Sequence, residues 1–399
     1  MLGKPRILVA LVGLVASQFA FAANQPESVA VGPMAFTPTL AIEESSNDNI
    51  FSQSDATGTK PSLITRVSPR LQLSAQQNAN QYAITYLGDY GNYDSSPNDN
   101  YDDHTFSADA LLSPTDMSTF KLSAAFAKLH DARGQGSSEG TIALSRTGPD
   151  KYDAHQVAGT LNLGIEGAPV SFEVSLKQVI VGYINNRVET QFRDRKNNDF
   201  DLRVYGNVTG KTKYFAEYGQ KNIKYKHLPL YGDSLNSTED SGYVGAEWEI
   251  TGKTTGSAKI GYIKKNFDAA SWTDQTIGAW QVQIVWQPLT YSTVTLTSSK
   301  QPQETNGTGS VIISTNNDVA WDHDWNDRVH SHVDAGFGRE TYDNDPRTDD
   351  RSFYSMGVNY DLRRWVNLDL SYSYDSRNSN FDQFDYNRNI WAFTVSASL

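Results

Sequence analysis

The sequence contains no cysteine and, beyond its first 22 residues, no long apolar run. Without cysteine the chain can form neither disulfides nor thiolate metal sites. Only 38% of its 399 residues are hydrophobic and the formal net charge is −12, which argues against a bundle of membrane helices and against a nucleic-acid-binding protein. Apolar residues also fail to recur at the helical period of 3.6 over any useful length. The fold therefore has to be inferred from a pattern other than helical periodicity.

The first 22 residues, MLGKPRILVALVGLVASQFAFA, have the layout of an export signal. Lys4 and Arg6 precede a short apolar stretch, and the run ends in a small-residue cleavage motif, AFA. The alternative is an N-terminal anchor helix, but the run is short for a bilayer and no stop-transfer flank follows it. We expect residues 1–22 to be a cleaved signal peptide and residues 23–35 to be a short periplasmic segment.

From residue 36 onward, apolar residues alternate with polar or small ones, which is the pattern of β-strands with two different faces. In one such segment Trp280, Val282, Ile284 and Trp286 alternate with glutamines and other residues. We count about eighteen segments of this kind. They begin near Phe36, Leu63, Gln81, His104, Thr119, His155, Pro169, Asn198, Lys213, Ser241, Gly256, Ile277, Tyr291, Gly309, Val329, Ser352, Trp365 and Asn389.

The connections between these segments are alternately short and long. Short ones include QQNAN and ITGKT, whereas long, polar and acidic ones include NYDSSPNDNYDD and TYDNDPRTDDR. This alternation is typical of a closed outer-membrane barrel with short periplasmic turns and long extracellular loops. A soluble β-sandwich has apolar inward faces, whereas here one face is charged. The pattern predicts an all-β, antiparallel, up-and-down transmembrane barrel over residues 36–399, with both termini periplasmic, in the outer membrane of a Gram-negative bacterium.

The last segment, NIWAFTVSASL, alternates up to the end of the chain. We expect it to close the barrel against the first strand, because an open edge would leave unpaired backbone groups in hydrocarbon. Such a terminal strand also resembles the signal read by the barrel assembly machinery, although the usual terminal aromatic is replaced by leucine. The apolar residues of this assembly strand are Trp391, Phe393, Val395 and Leu399.

Alternation also assigns strand residues to the lipid or to the lumen. We interpret the aromatic residues of the apolar face as interfacial girdles rather than as carbohydrate-stacking platforms. They are Tyr82, Tyr90, Trp248, Tyr262, Trp280, Trp286, Trp321, Tyr360 and Trp391. The lumen face has a basic wall on early strands, formed by Arg66, Arg70, Lys121, Lys177, Arg203, Lys213 and Lys221, with Asp109, Glu173, Asp201 and Glu217 among them. It has an acidic wall on later strands, formed by Glu247, Glu249, Asp322, Asp334 and Asp369.

Two interpretations of these lumen charges stand side by side. Opposed walls would give a transverse field that orients charged or dipolar solutes in a water-filled pore. Scattered ion pairs would instead stiffen the wall. Eighteen strands enclose an aqueous channel rather than a packed interior. The longest connection, roughly residues 129–153, could fold inward as a constriction, but the pattern favours a surface loop.

One short stretch, HSHVD, could do chemistry. It places His330, His332 and Asp334 on one side of a strand, where they could bind a metal or assist proton transfer. Ordinary polar residues facing lumen water are the favoured interpretation. Because the sequence contains neither a convincing nucleophile–base arrangement nor a phosphate-binding glycine motif, we expect no enzyme activity, no cofactor and no metal centre. The acidic loops predict at most weak divalent bridging to lipopolysaccharide.

The first third of the chain shows a series of motifs. LAIEESSNDNIFSQSD contains a D-N-I signature, LITRVSPRLQL a V-x-P-x-L core, and YLGDYGNY a Y-x-G-x-Y pattern; DDH and HDARG follow. In this order, over roughly residues 36–134, they resemble the putative beta-barrel porin 2 group, which is found with exopolysaccharide operons. The resemblance implies an outer-membrane barrel without catalytic residues that partners a periplasmic polysaccharide-export apparatus.

Three functions follow as hypotheses. The leading one is a channel for exopolysaccharide secretion, with the polysaccharide as cargo and with lipid, lipopolysaccharide and the assembly machinery as further partners. The second is a general or small-solute diffusion porin. The third is a barrel enzyme or a structural adhesin.

Overall fold

The computed structural model describes residues 28–164, 168–209, 211–228, 232–249 and 252–398. The predicted signal peptide, residues 1–22, and the last residue, Leu399, lie outside the described residues. Within the described part of the chain, nineteen strands form one antiparallel sheet. They are β1 Val29–Val31, β2 Met34–Asn47, β3 Ser62–Gln77, β4 Asn80–Tyr93, β5 Tyr101–Thr115, β6 Ser118–Asp131, β7 Asp150–Leu163, β8 Val170–Tyr183, β9 Arg195–Thr209, β10 Thr212–Tyr225, β11 Ser237–Glu249, β12 Thr254–Phe267, β13 Gln275–Leu289, β14 Ser292–Glu304, β15 Val311–Asn326, β16 Val329–Tyr342, β17 Thr348–Arg363, β18 Val366–Ser379 and β19 Tyr386–Ser398.

Strands β2 to β19 close into an eighteen-stranded barrel, which confirms the predicted fold class. Each strand pairs with its sequence neighbours, and β19 pairs with β2 from Ser398 opposite Thr39 to Ile390 opposite Asn47. The segment starts read from the alternation match these strands in number and order. The additional strand β1, which the alternation does not predict, forms a hairpin with the start of β2.

The two ends of the barrel differ in their connections, as the loop lengths predict. At one end, termed the short-turn end, two-residue turns such as 78–79, 116–117 and 327–328 join the strands. Asn78 has a φ of 56°, a left-handed conformation that tight hairpins use and asparagine tolerates. At the other end, termed the long-loop end, the connections include residues 48–61, 132–149 and 184–194. The start of β2 and the end of β19 both lie at the short-turn end.

The lipid-facing surface of the barrel is apolar. Large side chains such as Ile84, Leu176 and Phe337 are exposed, and they alternate with partly buried residues along each strand. All nine aromatic residues assigned to the girdles lie on this outward register, although Trp280 and Trp391 are near mid-strand. Strands of 13–16 residues exceed the roughly 9–11 that a tilted transmembrane strand needs, so the barrel extends beyond the bilayer.

Packed apolar contacts concentrate inside the barrel near the long-loop end. One cluster of Ala127, Tyr152, Ala154, Val179, Val181 and Tyr183 joins β6, β7 and β8. Helical segments of one turn lie in the long connections: α1 Ile142–Ser145, α2 Arg187–Thr190, and the 3₁₀ segments Pro97–Asp99, Gly136–Ser138, Gln191–Arg193 and Asp382–Phe384. None of the helices in the described ranges is long and apolar enough to cross a membrane.

Candidate functional site

The strand registers place the predicted wall residues on the inner face of the barrel. Residues opposite each other in neighbouring strands share a face, and Arg66 is opposite Glu43, Arg203 is opposite Glu217, and Asp322 is opposite His332. The same counting places all seven basic and all five acidic wall residues in the lumen. Their position is thus given by the structure, whereas their part in transport stays a prediction.

Charges alternate in sign around the wall from β8 to β12. In one register row Lys177 is opposite Asp199, which is opposite Lys221, followed by Glu239 and Lys265. The Nζ of Lys221 lies 3.6 Å from a Glu239 carboxylate oxygen, and the Nζ of Lys265 lies 2.9 Å from the other. Opposite charges on adjacent strands stabilise their pairing. The part of this row from Lys221 to Lys265 is therefore a structural ion-pair ladder.

A second group of ion pairs neutralises Arg203 and Arg66, two further residues of the predicted basic wall. Arg203 donates from Nε to Glu217 at 2.8 Å and lies 3.4 Å from Glu247. Lys259 donates to the other oxygen of Glu217 at 2.6 Å. Arg66 likewise donates to Asp89 on the neighbouring strand, at 2.6 Å from Nε. For these residues the distances fit the interpretation that lumen charges form ion pairs which stiffen the wall.

The other members of the basic wall are not neutralised in this way. Among the described residues, no carboxylate lies within ion-pair distance of these side chains: Arg70, Lys121, Lys177 and Lys213. They face the lumen from β3, β6, β8 and β10. These cations are available to solutes in the lumen.

Carboxylates dominate the lumen face from β15 to β18. We term Asp318, Asp322, Asp334 and Asp369 the acidic arc. In the described part of these four strands, the lumen-facing arginines lie towards the long-loop end, at Arg351 and Arg377. The other predicted acid, Glu249, ends β11 at the short-turn rim. Among the described residues, the basic side chain within ion-pair distance of an acid of the arc is that of His332, beside Asp322.

The HSHVD residues face the lumen but do not converge. His330 is buried and lies 2.6 Å from Asp324 and 3.3 Å from Asp361, through different ring nitrogens. His332 lies 2.7 Å from a third carboxylate, that of Asp322. No group of three metal-ligating side chains with suitable geometry occurs in the described part of the chain. The histidines thus interact with carboxylates of the wall.

The connection between β6 and β7, residues 132–149, extends across the long-loop mouth of the barrel. The sequence favours a surface loop here, and that prediction is wrong. Buried Glu139 accepts a hydrogen bond from Arg377 at 2.9 Å, lies 2.8 Å from Arg347, and accepts one from Asn306 at 3.0 Å. These partners belong to β18 and to the β16–β17 and β14–β15 loops, on another side of the barrel. We term these four residues the Glu139 cluster.

The β6–β7 loop is held across the mouth because two guanidinium groups on the opposite side are buried and need a negative partner. The side chains of Arg347 and Arg377 are each only 1% exposed, and a buried charge without a partner is strongly destabilising. Burial alone would lower the pKa of Arg347, but a hydrogen bond to Asp349 and the charge of Glu139 raise it above its ordinary value. Arg347 is therefore charged, and Glu139 helps to neutralise it.

The same loop is also held on the side of the β2–β3 loop. Ala143 of α1 is fully buried against Ile50, Phe51 and Ile64. The side chain of Gln53 donates to the Gly140 carbonyl at 2.9 Å. Contacts with these two sides of the barrel hold the middle of the loop across the mouth.

Glycine permits the close approach of the two loops. Gly134 has a φ of +87°, and a Cβ at this position would lie 1.8 Å from the Phe51 carbonyl oxygen. The guanidinium of the preceding residue, Arg133, stacks 3.9 Å from the Phe51 ring centre and donates to Asp99 at 2.6 Å. A side chain at position 134 would separate these contacts.

Sequence reasoning missed the residues that line the mouth from inside. Tyr152, Tyr183, Tyr342 and Tyr386 face inward near the long-loop end and are buried. The guanidinium of Arg347 lies 4.4 Å from the Tyr342 ring. The strand alternation could have found these tyrosines, because they occupy the inward register. It could not have found the partners of Glu139, since Arg377 is 238 residues away.

Comparison with solved structures finds matches over most of the chain at low sequence identity. Pseudomonas aeruginosa OpdO is 11% identical, with a TM-score of 0.49, covering 92% of this chain and 97% of that one. A BenF-like porin from Pseudomonas fluorescens is 10% identical, with a TM-score of 0.49 and coverages of 91% and 99%. Pseudomonas aeruginosa OccK2 (OpdF), solved in complex with glucuronate, is 10% identical, with a TM-score of 0.49 and coverages of 91% and 98%.

No curated protein matches the sequence. A family model does match, over residues 23–399, and its description is putative beta-barrel porin 2. The match covers nearly the whole chain and extends well past the motifs of residues 36–134. The resemblance is thereby confirmed: this chain belongs to the putative beta-barrel porin 2 family.

Proposed function

We propose that this outer-membrane porin is a diffusion channel for small hydrophilic solutes, narrowed at its long-loop mouth by the β6–β7 loop. Its family and fold point to a channel rather than an enzyme, in the outer membrane of a Gram-negative bacterium. In that membrane the short-turn end and both termini would face the periplasm, and residues 1–22 would direct export.

The observation that supports this proposal most directly is the Glu139 cluster. Eighteen strands enclose a lumen wide enough for water and solutes. The loop held by Glu139 reduces the opening at one end, because it is fixed to the β14–β18 side as well as to the β2–β3 loop. Small solutes can pass beside such a loop, whereas a wide polymer would require the loop to move.

Permeation of neutral sugars of increasing size tests the proposal. The purified barrel would be placed in liposomes, and swelling rates would be compared with those of a variant in which residues 136–145 are replaced by a short glycine–serine linker. We expect small sugars to enter through both proteins and larger oligosaccharides to enter faster through the variant. Equal size limits for the two proteins, or no sugar entry through either, would contradict the proposal.

Exopolysaccharide export is the second candidate, and a neutral polar strip in the lumen favours it. The strip runs over β12, β13 and β14 and consists of Ser257, Gln281, Gln283, Thr297, Ser299 and Gln301. Amide and hydroxyl groups can exchange hydrogen bonds with a hydrated sugar chain as it moves, and the unpaired lumen cations could contact acidic sugars. The operon association implied by the family resemblance supports a periplasmic export apparatus as partner.

The location of polymer in a strain lacking the gene separates the two candidates. Polysaccharide trapped in the periplasm, with little outside the cells, would support export. Normal export together with slower uptake of small solutes would support the diffusion channel. Complementation with the full chain controls for effects on neighbouring genes.

A further inference from the structure

Three lysines lie together on the outer surface of the barrel at the long-loop end of β8–β10. Lys196 of β9 and Lys224 of β10 are directly opposite each other, and both point outward because the neighbouring pair, Arg195 and Tyr225, faces the lumen. Lys226 follows β10 directly. Its Nζ lies 3.7 Å from the position that a Cβ would occupy on Gly182, an outward-facing residue of β8. We term Lys196, Lys224 and Lys226 the lysine patch.

The patch is only partly neutralised by the chain itself. Lys224 pairs with Asp268 at 2.5 Å. The other two lysines have no carboxylate within ion-pair distance among the described residues. The nearest outward acid on the β7 side, Asp153, is opposite both Gly182 and Lys128. Like charges directly opposite each other destabilise a strand pair, so the patch gains stability from an anion supplied by its surroundings.

The position of the patch indicates the source of that anion. On β8 the apolar side chains Phe172 and Leu176 are exposed to lipid below it, towards the short-turn end. The lysines therefore lie where the hydrocarbon belt gives way to the headgroups. With the long loops outside, this is the outer leaflet, whose lipid A anchors bear phosphates.

We propose that the lysine patch binds the phosphate groups of lipopolysaccharide. An ammonium group on a flexible stem suits a mobile phosphate, since it acts as a point charge without demanding a fixed geometry. Lys196 and Lys226 would supply the free charges, and Lys224 would share its charge between Asp268 and the lipid. The site lies on the outside of the barrel and is independent of the cargo in the lumen.

Lipid A binding to the full-length barrel in detergent tests the site. Native mass spectrometry would compare the wild type with the double variant Lys196→Gln/Lys226→Gln, using bis-phosphorylated lipid A and the same lipid after enzymatic dephosphorylation. We expect the double variant to bind bis-phosphorylated lipid A roughly 25-fold more weakly, because each of the two lysines near an anionic surface adds about a factor of five in affinity.

The matched control is Lys264→Gln/Lys300→Gln, which removes two outward lysines from β12 and β14. Lys264 is opposite Asp240, and Lys300 lies 5.7 Å from the Trp280 ring, so neither faces another lysine. The control should bind like the wild type. Equal binding by the two double variants, or wild-type binding that survives dephosphorylation of the lipid, would overturn the proposal. Heat-modifiable migration on gels would verify that each variant forms the barrel.

Discussion

At the scale of single residues, Glu139 has the most consequential contacts in the long-loop mouth. It lies within 3 Å of polar atoms from a strand and two loops that are distant in sequence. Without it, Arg347 would retain Asp349 as its acidic partner, and Arg377 would be left 3.9 Å from the same carboxylate. One side chain thus links the β6–β7 loop to the side of the barrel that it crosses to.

We expect Glu139→Gln to release the loop while the barrel stays intact. Glutamine keeps the shape of the glutamate side chain but removes its negative charge, so two buried guanidiniums lose a shared partner. Removing one partner of a buried ion pair destabilises a protein by roughly 3–5 kcal/mol. The loop can relieve this cost by moving away, so single-channel conductance in planar bilayers should rise.

Glu189→Gln is the control for this substitution. Glu189 pairs with Arg146 of the β6–β7 loop, but the Glu189 side chain is 48% exposed, so loss of this ion pair should cost little. Unchanged conductance of the Glu139 variant, with a barrel that still shows heat-modifiable migration, would contradict a role for Glu139 in holding the loop.

At the scale of elements, the meeting of the β2–β3 and β6–β7 loops depends on Gly134. Gly134→Ala should displace the β6–β7 loop, because a Cβ there would overlap the Phe51 carbonyl. Gly58 is a matched control, since its φ of +83° is similar but no atom lies within 4 Å of the added Cβ. Both alanines incur the left-handed strain of about 1–2 kcal/mol, and only the first incurs the overlap. Protease cleavage within residues 132–149 should therefore become faster in Gly134→Ala alone; equal rates would contradict the argument.

The closing strand β19 has a lipid-facing side and a lumen-facing side, and we expect them to differ in their tolerance of a charged residue. Phe393 is exposed on the lipid side, whereas Ser396 faces the lumen. Phe393→Lys should destabilise the barrel by about 2–4 kcal/mol if the residue lies near the bilayer centre, and Ser396→Lys should be tolerated because its charge reaches water. The yield of heat-modifiable barrel in outer-membrane fractions measures both. Similar yields would show that position 393 is not deep in the lipid.

Elements of the barrel could be predicted from the sequence to the extent that they are local. In each of the eighteen barrel strands the alternation of apolar and polar residues is visible within the strand itself. Residues a few positions apart therefore predict the strand count, the short and long connections, and the inward position of Arg203 or Asp334. The path of the β6–β7 loop depends on contacts with Phe51, Arg347 and Arg377, which lie far away in the chain. Alternation ends where the strands end, and it contains no information about such contacts.

At the scale of the whole molecule, the lumen is divided by charge in two directions. Around the barrel, β8–β12 bear lumen charges of both signs, several of them in ion pairs, whereas β15–β18 bear the acidic arc. Along the axis, arginines gather at the long-loop mouth and pair there with Glu139, Asp349 and Asp375. A solute that has passed the mouth therefore meets a wall with excess negative charge.

The acidic arc should make the channel prefer cations. Carboxylates lining a water-filled pore raise the local concentration of cations and lower that of anions. Asp334→Asn/Asp369→Asn removes two of these charges from the arc and should lower the K⁺/Cl⁻ permeability ratio, measured from reversal potentials across a bilayer with a salt gradient. The effect should shrink as salt rises, because the Debye length falls from about 10 Å at 0.1 M to about 3 Å at 1 M.

The outward pair Asp240→Asn/Asp350→Asn removes the same net charge from the outside of the barrel. Asp240 accepts hydrogen bonds from Tyr218 and Gln220, and Asp350 from Arg339, all on the lipid-facing side. If selectivity arises from the lumen field, this control should leave the reversal potential unchanged while the inner pair shifts it towards zero. An equal shift for both pairs would mean that the net charge of the protein, rather than the acidic arc, sets the preference; no shift for either would mean that ions are selected at the mouth, beside Glu139.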